Sequence, residues 1–303
     1  MSQRVGLVGA GRMGQGIGRN VLGHGHALSV LDHPGNQPLD ELERAGAVVV
    51  SSACELAARS EVVILCVTGA PQVESVLCDH DGVLAGLRPG ALVIDCSTSL
   101  PQTSVRMAQR VRAVGGRFVD APMTRTVADA LAGRLNLLVG GAPDDVQAAL
   151  AVLGCFAENI VVAGGVGAGH RLKLLHNFVS LGTIALVAEA AGYALGSGID
   201  PQVFVSVLAS GGGAGVALER LRPVIVDPQG RGMEFSMANA LKDLGYYKDM
   251  VDASAAQAGI AGAVLQTLRG ALATLGDEGA AVTDVVAALA ARNRDRMQHQ
   301  GGD

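Results

Sequence analysis

Residues 5–20 read VGLVGAGRMGQGIGRN. The apolar start has the Val and Leu content of a buried strand, and the tail reads as a helix. Between them stands Gly9-Ala10-Gly11-Arg12-Met13-Gly14, a GxGxxG. In a chain with 42 glycines among 303 residues the pattern alone is weak, so its place between strand and helix carries the weight. There Gly9 permits the tight turn, Gly11 lets a pyrophosphate approach the backbone, and Gly14 packs helix against strand. The helix start adds backbone N–H groups and the positive end of its dipole. The stretch therefore predicts the first βα unit of a dinucleotide-binding α/β domain.

Outward from this unit, short apolar runs alternate with longer helical patterns. RVGLVGAG, ALSVLD, AVVVSS, VVILCV, ALVIDCS, RFVDAP and LNLLVGG read as strands, and PQTSVRMAQRVRAVGG as one intervening helix. Continuous apolar strands separated by helices indicate a mostly parallel sheet covered on both faces. The second strand ends at Asp32, eighteen residues after Gly14. A carboxylate there accepts bonds from ribose hydroxyls and repels a 2′-phosphate, which favours NAD over NADP. The competing reading makes Asp32 the cap of the helix in NQPLDELERAG. After residue 165 no alternating strand is found, only amphipathic runs with stops at GSGIDPQ, SGGGAG and VDPQGRG. The expected organisation is a Rossmann domain over 1–164 and an all-helical substrate and oligomerisation domain over 165–303.

Composition excludes several classes. The chain is 49% hydrophobic and 17% charged, as expected of a well-buried globular protein. A net charge of −5 without a basic tract argues against nucleic acid as partner. Five scattered cysteines form no CxxC and no His-linked pattern, so no metal is expected and the thiols read as reduced, cytoplasmic ones. The N-terminus has no charged segment followed by a long apolar one, so no signal peptide is expected. Residues 178–195, FVSLGTIALVAEAAGYAL, are interrupted by Glu189 and read as a buried helix rather than a membrane span. The final RMQHQGGD reads as a frayed tail.

Residues 164–179, GGVGAGHRLKLLHNFV, lead from glycines into a helix carrying Lys173 and Asn177 one turn apart on one face. With GLVGAGRMGQGIGRNVL, DCSTSLPQT, FVDAPMTRT and ALKDLGYYKDM, this segment resembles the β-hydroxyacid dehydrogenase family over essentially the whole chain, five motifs in the family's order. The resemblance implies an interdomain helix beginning near residue 168 and a homodimer or homotetramer. It implies that Gly9, Gly11, Arg12, Met13, Gly14, Asp32, Val67, Thr98 and Lys242 face an NAD cofactor. It also implies that Lys173 and Asn177 are catalytic, and that Lys242 and Asp243, rather than the repeated Lys248-Asp249, line the site. Oxidising an alcohol delivers a hydride to nicotinamide and a proton to a base; burial and a cationic ring would lower a lysine toward that work.

The chain departs from the common family form at Thr124-Arg125-Thr126, where relatives carry Ser-Gly-Gly. A guanidinium favours a multi-oxygen anion. The Arg-Thr pair resembles the sulfolactaldehyde-reducing branch, so the expected partner is a small anionic substrate, leaning to a sulfonate. A carboxylate-specific semialdehyde reductase is the alternative within the family, and a non-catalytic dinucleotide sensor the alternative outside it.

Overall fold

The computed structural model describes residues 2–227, 229–277 and 279–300, with the backbone alone for 295–300. The chain forms two compact units, Met1–Lys173 and Leu174–Asp303.

The first unit is a doubly wound sheet. In chain order it comprises β1 (Arg4–Val8), α1 (Arg12–Gly23), β2 (Ala27–Leu31), α2 (Asp40–Arg44), β3 (Val48–Val50), α3 (Ala53–Arg59), β4 (Val62–Leu65), α4 (Ala70–Cys78) and α5 (Val83–Gly86). It continues with β5 (Leu92–Asp95), α6 (Pro101–Ala113), β6 (Arg117–Asp120), β7 (Met123–Thr124), α7 (Val127–Leu131), β8 (Leu135–Gly141), α8 (Pro143–Leu153), β9 (Ala157–Gly164) and the start of α9 (Ala168–Gly196). The sheet runs β3-β2-β1-β4-β5-β6-β8-β7, with β9 paired to β8. From β3 to β6 every neighbouring pair is parallel. All residues of β4 and β5 are buried, because helices cover both faces of these central strands. Two apolar layers result, one around Leu7, Ile17, Ile64 and Ile94, the other around Leu56, Leu65, Val93 and Phe118.

β9 does not show in the sequence as a strand. Its residues AENIVVAG carry only the short apolar run IVVA after two polar residues, leave Val161 and Val162 exposed and pair with β8 on one side only, so no alternation marks it.

α9 is seated on the sheet by a carboxylate. Asp120, fully buried at the end of β6, accepts the N–H of Gly167 at 2.7 Å on one oxygen and of His170 at 2.9 Å on the other. A helix leaves its first N–H groups without intrahelical acceptors, and here a residue from a distant strand supplies them. Close approach is made possible by glycine: a Cβ at Gly169 would lie 2.2 Å from the Leu138 carbonyl oxygen and 2.8 Å from an Asp120 carboxylate oxygen.

The second unit contains the rest of α9 and α10 (Pro201–Ala209), α11 (Val216–Val226), α12 (Met237–Asp252), α13 (Gly259–Leu275) and α14 (Val285–Gln300). It is all-helical among the described residues apart from one isolated bridge, Ser236 to Ala281. Its core gathers Leu181, Ile184 and Ala188 of α9 with Leu221, Leu244 and Leu268. α9 is long and apolar enough to cross a membrane, yet this side of it is packed into that core. The expected frayed tail is corrected in part: α14 stays helical through Gln300, and 301–303 lie outside the described residues.

The seat of α9 gives the first prediction. Gly169→Ala must push against backbone, and an expected loss of about 1–3 kcal/mol in stability is read by chemical denaturation.

Candidate active site

The turn after β1 has the shape its glycines require. Gly9 sits at φ 95°, and a Cβ there would lie 2.3 Å from the Cys66 carbonyl oxygen. A Cβ at Gly14 would lie 2.0 Å from the Gly9 carbonyl oxygen, so only glycine lets α1 meet the strand end. At Gly11 a Cβ would meet nothing within 4 Å. Gly11 also caps α1 without any side-chain hydrogen bond, which leaves an open cradle over a helix N-terminus. Arg12 and Met13 form the helix's first turn, exposed and half-buried.

Asp32 follows β2 directly and is exposed, its N–H bonded to Val50 O at 2.8 Å. The next helix begins only at Asp40 with Leu39 at its cap, so capping does not account for Asp32. Sequence reading missed Asn36. Its Oδ1 accepts the Ala10 N–H at 3.0 Å while its Nδ2 donates to Leu31 O at 2.8 Å, and Gln37 N–H returns to Ala10 O at 3.0 Å. These bonds fold the loop beyond Asp32 onto the glycine turn. The open cradle, the helix end and the exposed carboxylate fit a nicotinamide dinucleotide, which supplies or accepts a hydride when bound.

The ends of β4 and β5 lie in register, Leu65 opposite Asp95. Beyond them Val67 N–H donates to Ser97 Oγ at 3.1 Å, and Ser97 N–H to Asp95 Oδ1 at 3.0 Å. Thr98 is half-buried beside them. Burial, and secondly Asp95, push the Cys66 thiol up to about 12. Cys96 is raised for the same first reason, which favours the protonated thiol at both positions.

The Thr124-Arg125-Thr126 turn is held from several sides. Thr124 pairs with Asn136 at the end of β7. Arg125 takes φ 82°, a left-handed backbone that glycine adopts freely. Its Nη1 donates to Arg134 O at 2.5 Å and to the carboxylate of Glu158 on β9. Among the described residues no partner engages its Nε and Nη2, the other edge of the fork. Thr126, expected as a donor to substrate, instead caps α7: its hydroxyl donates to Asp129 Oδ2 at 2.6 Å and accepts the Asp129 N–H at 3.2 Å. α7 is pinned to α1 in turn. Asn20 Nδ2 donates to Ala130 O at 2.9 Å, and a Cβ at Gly16 would lie 2.5 Å from the Ala130 carbonyl carbon.

In the second unit, Asn177 is buried and donates from Nδ2 to Asp243 Oδ2 at 2.7 Å, while its Oδ1 lies 3.0 Å from His176 Nδ1. Asp243, also buried, pairs through Oδ1 with Lys242 Nζ at 2.8 Å, and that ammonium stands 5.3 Å from the Tyr246 ring centre. The repeat one and a half turns on is more exposed, and Lys248 pairs with Asp252. Thus the Asn177 amide has a fixed orientation, set by a carboxylate whose charge Lys242 balances. Lys173, half-buried, lies one helical turn before Asn177 on α9.

A doubly wound sheet with this cradle is the form of a dinucleotide-binding domain, and the helix bearing Lys173 and Asn177 follows it in the chain. Comparison with known proteins narrows the class. The family model for the NAD binding domain of 6-phosphogluconate dehydrogenase matches residues 4–165, and that for the NAD-binding domain of NADP-dependent 3-hydroxyisobutyrate dehydrogenase matches 167–290. Mitochondrial 3-hydroxyisobutyrate dehydrogenase of Homo sapiens is 31% identical over 81% of this chain and 74% of its own length. The Mus musculus enzyme is 32% identical over 73% of this chain, which spans only 65% of it. The 3-sulfolactaldehyde reductase of Escherichia coli is 35% identical over 62% of each chain. A Mycobacterium tuberculosis 3-hydroxyisobutyrate dehydrogenase structure with L-serine superposes with a TM-score of 0.85 at 28% identity, covering 95% of this chain and 99% of that one. The chain belongs to the β-hydroxyacid dehydrogenase family, whose members are NAD(P)-dependent and act on CH–OH groups.

Two outcomes are expected from this geometry. Gly14→Ala displaces α1 from Gly9 and weakens NADH binding by about tenfold or more in a fluorescence titration, as a cost above about 1.4 kcal/mol requires. The Asp129 carboxyl is held below its ordinary value first by the Thr126 hydroxyl and then by its N–H. A lowered folded value stabilises above the unfolded value of about 3.9 and is lost as pH falls through the lowered one. Amide exchange in α7 should therefore rise only below about pH 4, and Thr126→Ala should abolish that dependence.

Proposed function

We propose that the protein interconverts a short β-hydroxy acid and its semialdehyde with NAD, reading a singly charged acid group through Arg125, with a sulfonated substrate as the leading candidate. The observation that carries the reaction is the pairing on α9 of Lys173 with an Asn177 whose amide is fixed by buried Asp243. In oxidation the substrate hydroxyl proton passes to Lys173 Nζ as hydride leaves the carbinol carbon; in reduction the ammonium returns that proton to the carbonyl oxygen. Asn177 holds the substrate beside Lys173. The exposed Asp32, with no arginine between residues 32 and 38, supports NAD over NADP.

The substrate lean rests on Arg125. Its unengaged Nε–Nη2 edge can grip two oxygens of a sulfonate or a carboxylate. One observation favours the carboxylate reading: Thr126, which would have offered a donor to a third oxygen, is committed to the α7 cap. Exposed Val179, Leu186 and Tyr193 on α9 support a homodimer or homotetramer, and five free thiols a reducing cytoplasmic location.

NADH oxidation assayed with sulfolactaldehyde, tartronate semialdehyde and methylmalonate semialdehyde tests the proposal, and intact NADH binding without turnover of any would overturn it. Arg125→Gly relieves a left-handed backbone, so the variant stays folded. It should lower kcat/KM for the sulfonate by about 1.5–3 kcal/mol in transition-state terms, and for the carboxylates by less if the lean is right. Lys173→Ala should abolish turnover while leaving NADH affinity in place; undiminished cellular effect in that variant would mark a sensor instead.

A further inference from the structure

We propose that His170 is a positioning residue that locks the loop after β5, carrying Ser97 and Thr98, to the first turn of α9, and so sets where that loop stands relative to Lys173. The inference rests on the reaction proposed above.

The imidazole is fully buried. Its Nε2 lies 3.0 Å from the Ser97 carbonyl oxygen, and a carbonyl can only accept, so Nε2 carries a proton. Its Nδ1 lies 2.7 Å from Ser104 Oγ on α6, whose hydroxyl donates to it in the neutral ring. The backbone N–H of the same residue is held by Asp120, whose carboxylate also stands 3.7 Å from Nδ1. One residue thus joins three elements: the strand end of β6, the start of α6 with its preceding loop, and α9 three positions before Lys173.

Several observations make this more than a satisfied core histidine. Ser97 and Ser104 are themselves buried, so water does not replace either bond. Ser97 is the hub of its loop, binding Asp95 through its N–H and Val67 through its hydroxyl, and its carbonyl is the group His170 takes. Gly167 brings α9 against α6 a turn earlier, where a Cβ would lie 3.0 Å from the Pro101 carbonyl oxygen. Lys173 is placed by the helix, Thr98 by the loop, and the His170 side chain bonds helix to loop. A displacement of about 1 Å between reacting groups costs about a hundredfold in rate, which is the scale such a clamp protects.

Two substitutions separate positioning from filling space. In His170→Gln the amide nitrogen reaches the place of Nε2 and can still donate to Ser97 O. In His170→Asn the shorter amide reaches Ser104 but not Ser97. Glutamine is expected to keep kcat within about threefold of the parent, whereas asparagine lowers it by about ten- to a hundredfold with NADH affinity little changed. Equal kcat losses in the two variants, or a fall in melting temperature with kcat unchanged in His170→Asn, would overturn the proposal. Ser104→Ala, which spares the Ser97 bond, should retain most activity; a loss matching that of asparagine would also overturn it. Amide exchange at residues 97–100 decides the clamp separately from the reaction. Faster exchange in His170→Asn and parental exchange in His170→Gln support it, and unchanged exchange in both rejects it. Failure of the parent protein to turn over any semialdehyde would instead count against the proposed reaction.

Discussion

The placement of α9 depends on one buried carboxylate. Asp120 stands at the end of β6, in register with Asp95 of β5, and its two oxygens take the N–H groups of Gly167 and His170. Burial raises the Asp120 carboxyl, while the N–H bonds from Gly167 and His170 pull it part of the way back. A raised folded value means that protonation favours the fold. The group's contribution is complete below the unfolded value of about 3.9 and declines as pH climbs through the raised one. Near neutrality the ionised carboxylate therefore carries a desolvation cost, which the helix end partly offsets. That cost is tolerated at the point where the helix bearing Lys173 leaves the sheet.

Glycine determines how closely the surrounding parts approach. Gly14 lets α1 touch the Gly9 carbonyl, Gly16 lets α7 touch α1, and Gly140 with Gly169 lets α9 lie on β6 and β8. Each contact includes backbone atoms, so side-chain adjustment alone cannot absorb a methyl group there. The nucleotide cradle and the seat of α9 are fixed to the sheet in this way, and α7, beyond the Arg125 turn, is fixed to α1. Gly11 differs from all of these. Its surroundings are empty, as a site for a ligand requires rather than a packing contact.

Features that repeat locally were legible in the sequence. The strands from β1 to β6 and β8 are apolar runs, GxGxxG sits between strand and helix, and Lys173 with Asn177 shows as an i, i+4 pair. What stayed hidden depends on residues far apart in the chain. His170 meets Ser97 across 73 positions, Asn177 meets Asp243 across 66, and Arg125 meets Glu158 across 33. Glu158 was doubly hidden, because β9 is a one-sided strand that leaves Val161 and Val162 exposed. At Thr126 the local pattern is ambiguous: Thr-x-x-Asp is itself a capping pattern, and in the fold its hydroxyl caps α7.

Arg125 is the position where energetics and chemistry disagree most. A non-glycine residue in the left-handed region costs about 1–2 kcal/mol. Its ion pair with Glu158 joins a side chain 29% exposed to one 49% exposed. Such pairs return about 0–1 kcal/mol, which does not cover the backbone cost. The bond to the Arg134 carbonyl adds orientation more than stability, because it shares Nη1 with Glu158. A glycine would remove the strain at once, and a lysine could not present two parallel donors. Strain that local contacts do not repay is a feature of functional positions. At Arg125 the remaining asset is the Nε–Nη2 edge. Under the proposed function, two anchors on Nη1 leave that edge in a defined direction, at low entropic cost for the acid group of a substrate.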